Sequence, residues 1–133
     1  MTIEDLREKL DSNDKFLFDD LLITTNTVSK NLNKKYNPFV TIVDNPEYHE
    51  NKDSILNGIP YSAKDMFSTK GILTTASSNS LKDYVPFFDA TVIKRLKDAG
   101  AILTSKSVCD EFGLGGTGTT GHTGVVRNPY DIN

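Results

Sequence analysis

Apolar residues recur at helical spacing along the first part of the chain, then give way to short β-branched or small-residue runs separated by turn residues. Thr2 followed by Asp5 reads as an N-cap with an acidic first turn, after which Ile3, Leu6 and Leu10 fall on one helical face. Asp11-Ser12-Asn13-Asp14 breaks that helix and offers a new cap. From Lys15 to about Lys34 a second helix is expected, with Phe18, Leu21, Leu22, Val28 and Leu32 at its apolar spacing. Tyr36-Asn37-Pro38 ends it, because proline disfavours the helical conformation in the residue before it. Phe39–Val43 reads as a strand, and Asp44–Asn57, polar and without a clear period, as a surface connection or a frayed helix.

Gly58-Ile59-Pro60 opens the next unit. Tyr61-Ser62-Ala63 suits a short buried strand carrying Lys64 and Asp65 at its end, and Lys70-Gly71 suits a turn. Asp89 is placed to cap a helix over Ala90–Ala99 whose stripe is Val92, Ile93, Leu96 and Ala99, with Lys94, Arg95 and Lys97 facing water. Gly100 stands where a left-handed cap is wanted, and Ala101-Ile102-Leu103-Thr104 follows as a buried strand. Strand, connection, helix and strand make an α/β unit. The expected organisation is a helical segment over 1–36 followed by an α/β portion over 37–133. No segment repeats internally.

Composition narrows the function classes. Hydrophobic residues make up 37% and charged residues 25%, which suits a folded chain rather than a disordered one. The net charge of -3 and pI near 5.3 argue against a broad nucleic-acid-binding face on this segment. The single cysteine, Cys109, allows no internal disulfide and suits a reducing compartment. No signal peptide and no apolar run long enough to span a bilayer is evident, so a cytoplasmic location is expected.

Lys64 is the first candidate for chemistry. A lysine held at a strand end inside an apolar shell loses solvation, which favours the neutral amine that a general base requires. Most lysines are simply solvated, and only the surrounding motif sets this one apart. Gly113-x-Gly115-x-x-Gly118 matches a dinucleotide-binding fingerprint only weakly, because Cys109-Asp110-Glu111-Phe112 separates it from the preceding strand and poor helix formers follow it. The P-loop pattern fails as well, with Thr119 where its lysine belongs. Backbone N–H groups of such a loop can still approach a small ligand, although a mobile surface loop is an equal expectation. Asp110 and Glu111 are adjacent, so structural hydrogen bonding suits them better than a paired acid–base role. His49, His122 and Cys109 make no metal-ligand spacing, no metal site is expected, and Cys109 suits a small buried side chain.

Several stretches taken together resemble one family: 58–65, Lys70 through Ser78, Asp89–Val92 leading through Ala99–Leu103 to Lys106, Asp110-Glu111-Phe112, and Arg127–Asp131. In this order they are similar to amidase-signature enzymes, and within them to the A subunits of glutamyl-tRNA(Gln) or aspartyl-tRNA(Asn) amidotransferases. The resemblance covers Phe39–Val43 and about all of Gly58–Asn133. It implies the N-terminal portion of an amidase-signature α/β fold, a mixed sheet flanked by helices, with two leading helices.

The resemblance also implies a chemistry. Lysine, a bridging serine and a nucleophilic serine form the family's triad, and its lysine falls on Lys64. The nucleophile attacks the amide of glutamine, ammonia leaves, and water releases glutamate from the acyl-enzyme. Ammonia then passes to a B subunit that uses ATP and Mg to amidate glutamate attached to tRNA, while a small C subunit braces the pair. No cofactor is expected in this chain itself. Gly116 and Thr117 match a segment lining the substrate pocket. Both family serines lie in a Gly/Ser-rich signature after the segment matched by Arg127–Asp131, so the given stretch is expected to hold Lys64 alone of the triad and to be inactive by itself. A different amide substrate, or a non-catalytic docking role for the two leading helices, are the competing expectations.

Overall fold

A computed structural model describes residues 2–11 and 15–131. Helices α1 (Ile3–Asp11) and α2 (Lys15–Tyr36) lead into strand β1 (Phe39–Ile42). Strand β2 (Pro60–Lys64), helix α3 (Thr91–Asp98) and strand β3 (Ile102–Ser107) follow. Among the described residues the sheet has three strands in the order β1-β3-β2, with β1 antiparallel and β2 parallel to the central β3. This is the mixed α/β architecture expected, with α3 connecting two parallel strands.

The helix starts follow local chemistry. Thr2 Oγ1 accepts the Asp5 N–H at 3.1 Å while the Thr2 N–H donates to Asp5 Oδ2 at 2.7 Å, satisfying α1's first orphan donors reciprocally. The expected break at Ser12-Asn13-Asp14 lies outside the described residues. Asp89 does not cap α3. Its Oδ1 accepts the Lys70 N–H at 2.7 Å, and Ala90 occupies the cap position with no side-chain bond. The carboxylate serves the longer-range contact that closes the 70–89 excursion. On α3 only Ile93 is buried, Leu96 and Ala99 are half-buried, and Val92, placed in the stripe by spacing, is 42% exposed.

Helix α2 departs further from its apolar pattern. Leu21 and Leu22 are half-buried, but Val28 is 47% and Leu32 41% exposed. The face turned to β1 is instead built from Asn26, Ser29 and Asn33, spaced three and four residues apart. Asn33 Oδ1 accepts the Phe39 N–H at 2.9 Å and Asn26 Nδ2 donates to the Val43 carbonyl at 3.2 Å. These amides satisfy backbone groups at both ends of an edge strand, a demand that leucine cannot meet.

Strand β3 runs three residues past the Thr104 end read from the sequence. Its last residues, Ser105, Lys106 and Ser107, have poor strand propensity, but a partner on each side supplies the ladder that propensity does not. The buried hydrophobic side chains of the described residues are Ile59, Ala63, Ile93, Ala101, Ile102 and Cys109, the last against Ser77. Outside this set, Phe87 is 83% and Leu114 82% exposed, and among the described residues β2 is bonded to a strand on one side only. Proline at the first position of β2 is compatible with that edge.

Gly100 ends α3 at φ 79°, and a Cβ there would lie 2.6 Å from Asn57 Oδ1 and 3.0 Å from Asn57 Cα. Asn57 cannot retreat without loss, because its Oδ1 accepts from both Tyr48 Oη and the Asn51 N–H. Gly100→Ala is therefore expected to destabilise the fold by at least about 1–2 kcal/mol, the cost of left-handed backbone for an L side chain alone. Denaturant unfolding of the variant beside the parent checks this.

Candidate active site around Lys64

Lys64 is the last residue of β2. Its place is fixed by pairing with Ser107 on β3, and the following Asp65 N–H continues the ladder by donating to the Ser107 carbonyl at 2.9 Å. Strand alternation buries Ala63 and leaves Lys64 exposed on the opposite face. The Phe67 N–H donates to the Lys64 carbonyl at 3.0 Å, so the chain turns immediately after Lys64.

The desolvated lysine is a different one. Lys106, on β3, is 0% exposed and is the largest fully buried side chain among the described residues. Its Nζ donates to the Phe67 carbonyl at 2.8 Å and to Thr74 Oγ1 at 2.7 Å, and lies 3.8 Å from Asp65 Oδ1. Burial lowers its pKa to about 8, against which the neighbouring Asp65 carboxylate acts. Asp65 is also fully buried. Its Oδ2 accepts from the Thr75 N–H at 3.0 Å, Thr75 Oγ1 at 2.6 Å and the Ser77 N–H at 3.2 Å, while Oδ1 has no hydrogen-bond partner among the described residues. Ala76 and Ser77 both take positive φ, 49° and 51°, in the turn folded over this carboxylate. Sequence reading missed Lys106. The available signal was a lysine in step with Ile102 and Thr104, so that two-residue alternation places it on the buried side.

A second carboxylate organises the Gly/Thr-rich segment. Asp110 Oδ2 accepts the N–H groups of Thr117 at 2.8 Å and Gly118 at 3.0 Å. Its Oδ1 accepts those of Thr119 at 2.9 Å and Thr120 at 3.1 Å, together with Thr120 Oγ1. These backbone donors, Gly118 and Thr117 foremost, hold its carboxyl well below the usual carboxylate range. Gly115 lies so close that a Cβ would meet the Asp110 carboxylate at 2.5 Å. The fingerprint-like glycines thus wrap a side chain of their own chain. Glu111 Oε1 accepts from Ser78 Oγ at 2.6 Å, and so both adjacent acids serve structure as expected.

The loop and the lysine segment meet. A Cβ on Gly113 would contact Met66 Cε at 3.1 Å, and the Phe112 N–H donates to the Ala76 carbonyl at 2.9 Å. The Gly113–Thr120 segment therefore begins beside the residue two positions past Lys64. Gly116 and Thr117 are exposed within it, and Thr117 Oγ1 shares a 2.7 Å hydrogen bond with Thr119 Oγ1. Cys109 is buried, its N–H donating to Ser77 Oγ at 2.9 Å. No group of three or more His, Cys, Asp or Glu side chains among the described residues is arranged to hold a metal ion. No described helix is long and apolar enough to cross a membrane.

The amidase family model matches residues 41–133, which include β2, the buried pair and the Asp110 loop. The chain belongs to the amidase family. Among curated amidase-family relatives, the A subunit of the glutamyl-tRNA(Gln) amidotransferase of Sulfurisphaera tokodaii is 44% identical over 108 residues, covering 76% of this chain and 23% of that protein. Its Lactobacillus acidophilus counterpart is 38% identical over 133 residues, covering 98% of this chain and 28% of its own length. The crystal structure of the Thermotoga maritima counterpart superposes with a TM-score of 0.69 at 31% identity, covering 80% of this chain and 24% of that one. The chain thus spans between 23% and 28% of the length of these two curated amidase relatives.

Two expectations follow from the electrostatics. Between about pH 8 and 10.5 the unfolded chain keeps a proton on Lys106 that the folded chain releases, so this group makes stability rise with pH across that window. Tyr61 opposes it higher up. Burial, with Asp89 nearby, raises its pKa from 10.0 to about 12, so the unfolded chain loses that proton first and stability falls between those values. Thermal melts across alkaline pH should show the rise disappear in Asp65→Asn/Lys106→Met, which leaves no buried charge unpaired, and the fall disappear in Tyr61→Phe. Separately, Asp110→Asn is expected to speed amide hydrogen exchange at Thr117–Thr120 by about tenfold or more, since a hydrogen bond to a charged group is worth about 1.5–3 kcal/mol. Protection unchanged at those amides would contradict the assignment.

Proposed function

We propose that residues 1–133 form the lysine-bearing portion of a glutaminase subunit of a tRNA-dependent amidotransferase. The observation that carries this reading is the 44% identity over 108 residues to a chain named as the A subunit of a glutamyl-tRNA(Gln) amidotransferase. The geometry is compatible with it. Lys64 stands at the open end of β2, with its main chain fixed by β3 and the Gly113–Thr120 segment beside it.

In this reading Lys64 takes a proton from a bridging serine, which in turn activates a nucleophilic serine. The nucleophile attacks the carboxamide of glutamine, ammonia leaves, and water releases glutamate. Gly116 and Thr117 line the glutamine pocket. The serines belong to a Gly/Ser-rich segment that residues 1–133 do not contain, and the covering of Lys64 by that region supplies the desolvation that its exposed position in this segment lacks. A B subunit binding ATP and Mg uses the ammonia on glutamate-charged tRNA, a C subunit braces the assembly, and the complex works in the cytoplasm.

In the full-length protein, Lys64→Ala is expected to lower glutamine hydrolysis by at least about 10³-fold. Residues 1–133 alone are expected to release no ammonia from glutamine. Coupled detection of glutamate measures both. Activity of the isolated segment, or full activity of the variant, would overturn the reading.

A further inference from the structure

Lys106 sets a puzzle that fold stability does not answer. A buried ion pair costs several kcal/mol of desolvation per ion, and apolar residues of similar size often serve stability as well or better. An ammonium, however, can do what a methyl group cannot, which is to aim hydrogen bonds in several directions from one point. Here two of them go to the Phe67 carbonyl and to Thr74 Oγ1, at 2.8 and 2.7 Å.

These partners matter because of what they close. Phe67 ends the turn that starts at Lys64. Thr74 begins the segment whose Thr75 and Ser77 bind Asp65 Oδ2, and Asp65 is the residue directly after Lys64. The start of the turn is fixed by β3 through Ser107. Its far end is fixed by the Lys106 ammonium, with the Asp65 carboxylate 3.8 Å away as counter-charge.

We propose that Lys106, with Asp65 as its counter-charge, is a positioning residue for Lys64, holding the Lys64–Phe67 turn against the Thr74–Ser77 segment and so setting the direction in which the Lys64 side chain leaves β2. This rests on the proton-transfer role given to Lys64 above. Lys106 itself touches no substrate.

The test uses the double substitution Asp65→Asn/Lys106→Met, which removes both buried charges together and leaves neither uncompensated. In the full-length protein it is expected to stay folded at the assay temperature while kcat for glutamine hydrolysis, per folded molecule, falls about tenfold or more, with KM changed less than about twofold. Unchanged kcat in a stably folded double variant would overturn the proposal. So would a kcat loss that merely follows the loss of folded protein. A second readout needs no activity. In residues 1–133 labelled with ¹³C at the lysine side chains, the Lys64 Cε resonance and the Phe67 amide resonance should move in the double variant by more than the same substitutions move them in the urea-unfolded chain. If they stay in place, the positioning role is refuted. Where the double variant does not fold, Thr74→Val, which removes one acceptor of the ammonium at nearly constant volume, should move the same resonances, and no movement again refutes it. A full-length parent without glutaminase activity would sink the reading of the reaction, while the resonances would still decide whether Lys106 orients Lys64.

Discussion

A charge sealed from water has to be answered from inside the protein, and at the centre of this chain one ammonium and one carboxylate answer each other. Lys106 and Asp65 are both fully buried, 3.8 Å apart, and between them reach β2, β3 and the turn over Thr74–Ser77. The surrounding apolar core is small. Six hydrophobic side chains are buried among the described residues, against twelve polar or charged ones. In such an interior, the arrangement of polar partners decides the local structure more than apolar packing does, because each unmet donor or acceptor costs about 1–3 kcal/mol.

The same logic recurs at Asp110. Two stretches of this chain without a regular ladder, after β2 and after β3, are each gathered around a carboxylate. Asp65 collects Thr75 and Ser77; Asp110 collects Thr117 to Thr120. The two assemblies are joined where the Phe112 N–H meets the Ala76 carbonyl and the His122 N–H meets the Ser77 carbonyl at 2.8 Å. Threonines, serines and glycines that suggest a loose loop when read in sequence are therefore held at defined positions by acids that lie several residues away.

That distance explains which features are legible in the sequence and which are not. Elements with a local cause are readable: the Thr2–Asp5 reciprocal cap, the end of α2 before Pro38, the left-handed Gly100, and the strand–helix–strand order around α3. Features with a cause elsewhere in the chain are not. Asp89 has the composition of a cap but bonds to Lys70. Val28 and Leu32 have helical spacing, yet the amides of Asn26 and Asn33 meet β1 because the strand offers backbone groups there. Lys64 is singled out by its motif and stands where the motif puts it, at a strand end. The burial expected for it belongs to Lys106, whose environment depends on a three-strand order that spacing alone does not reveal.

The polar docking of α2 gives the sheet a direction. Asn33 and Asn26 meet backbone groups at the two ends of β1, so the helix already answers part of that flank. The other flank, β2, has hydrogen-bonding capacity left over and ends in Lys64. A sheet with one flank spoken for lengthens from the other. A strand added beside β2 would carry the ladder along to Lys64, but the Lys64 amine stands off the face of the sheet, so lengthening the sheet and covering that amine are separate demands met by different layers.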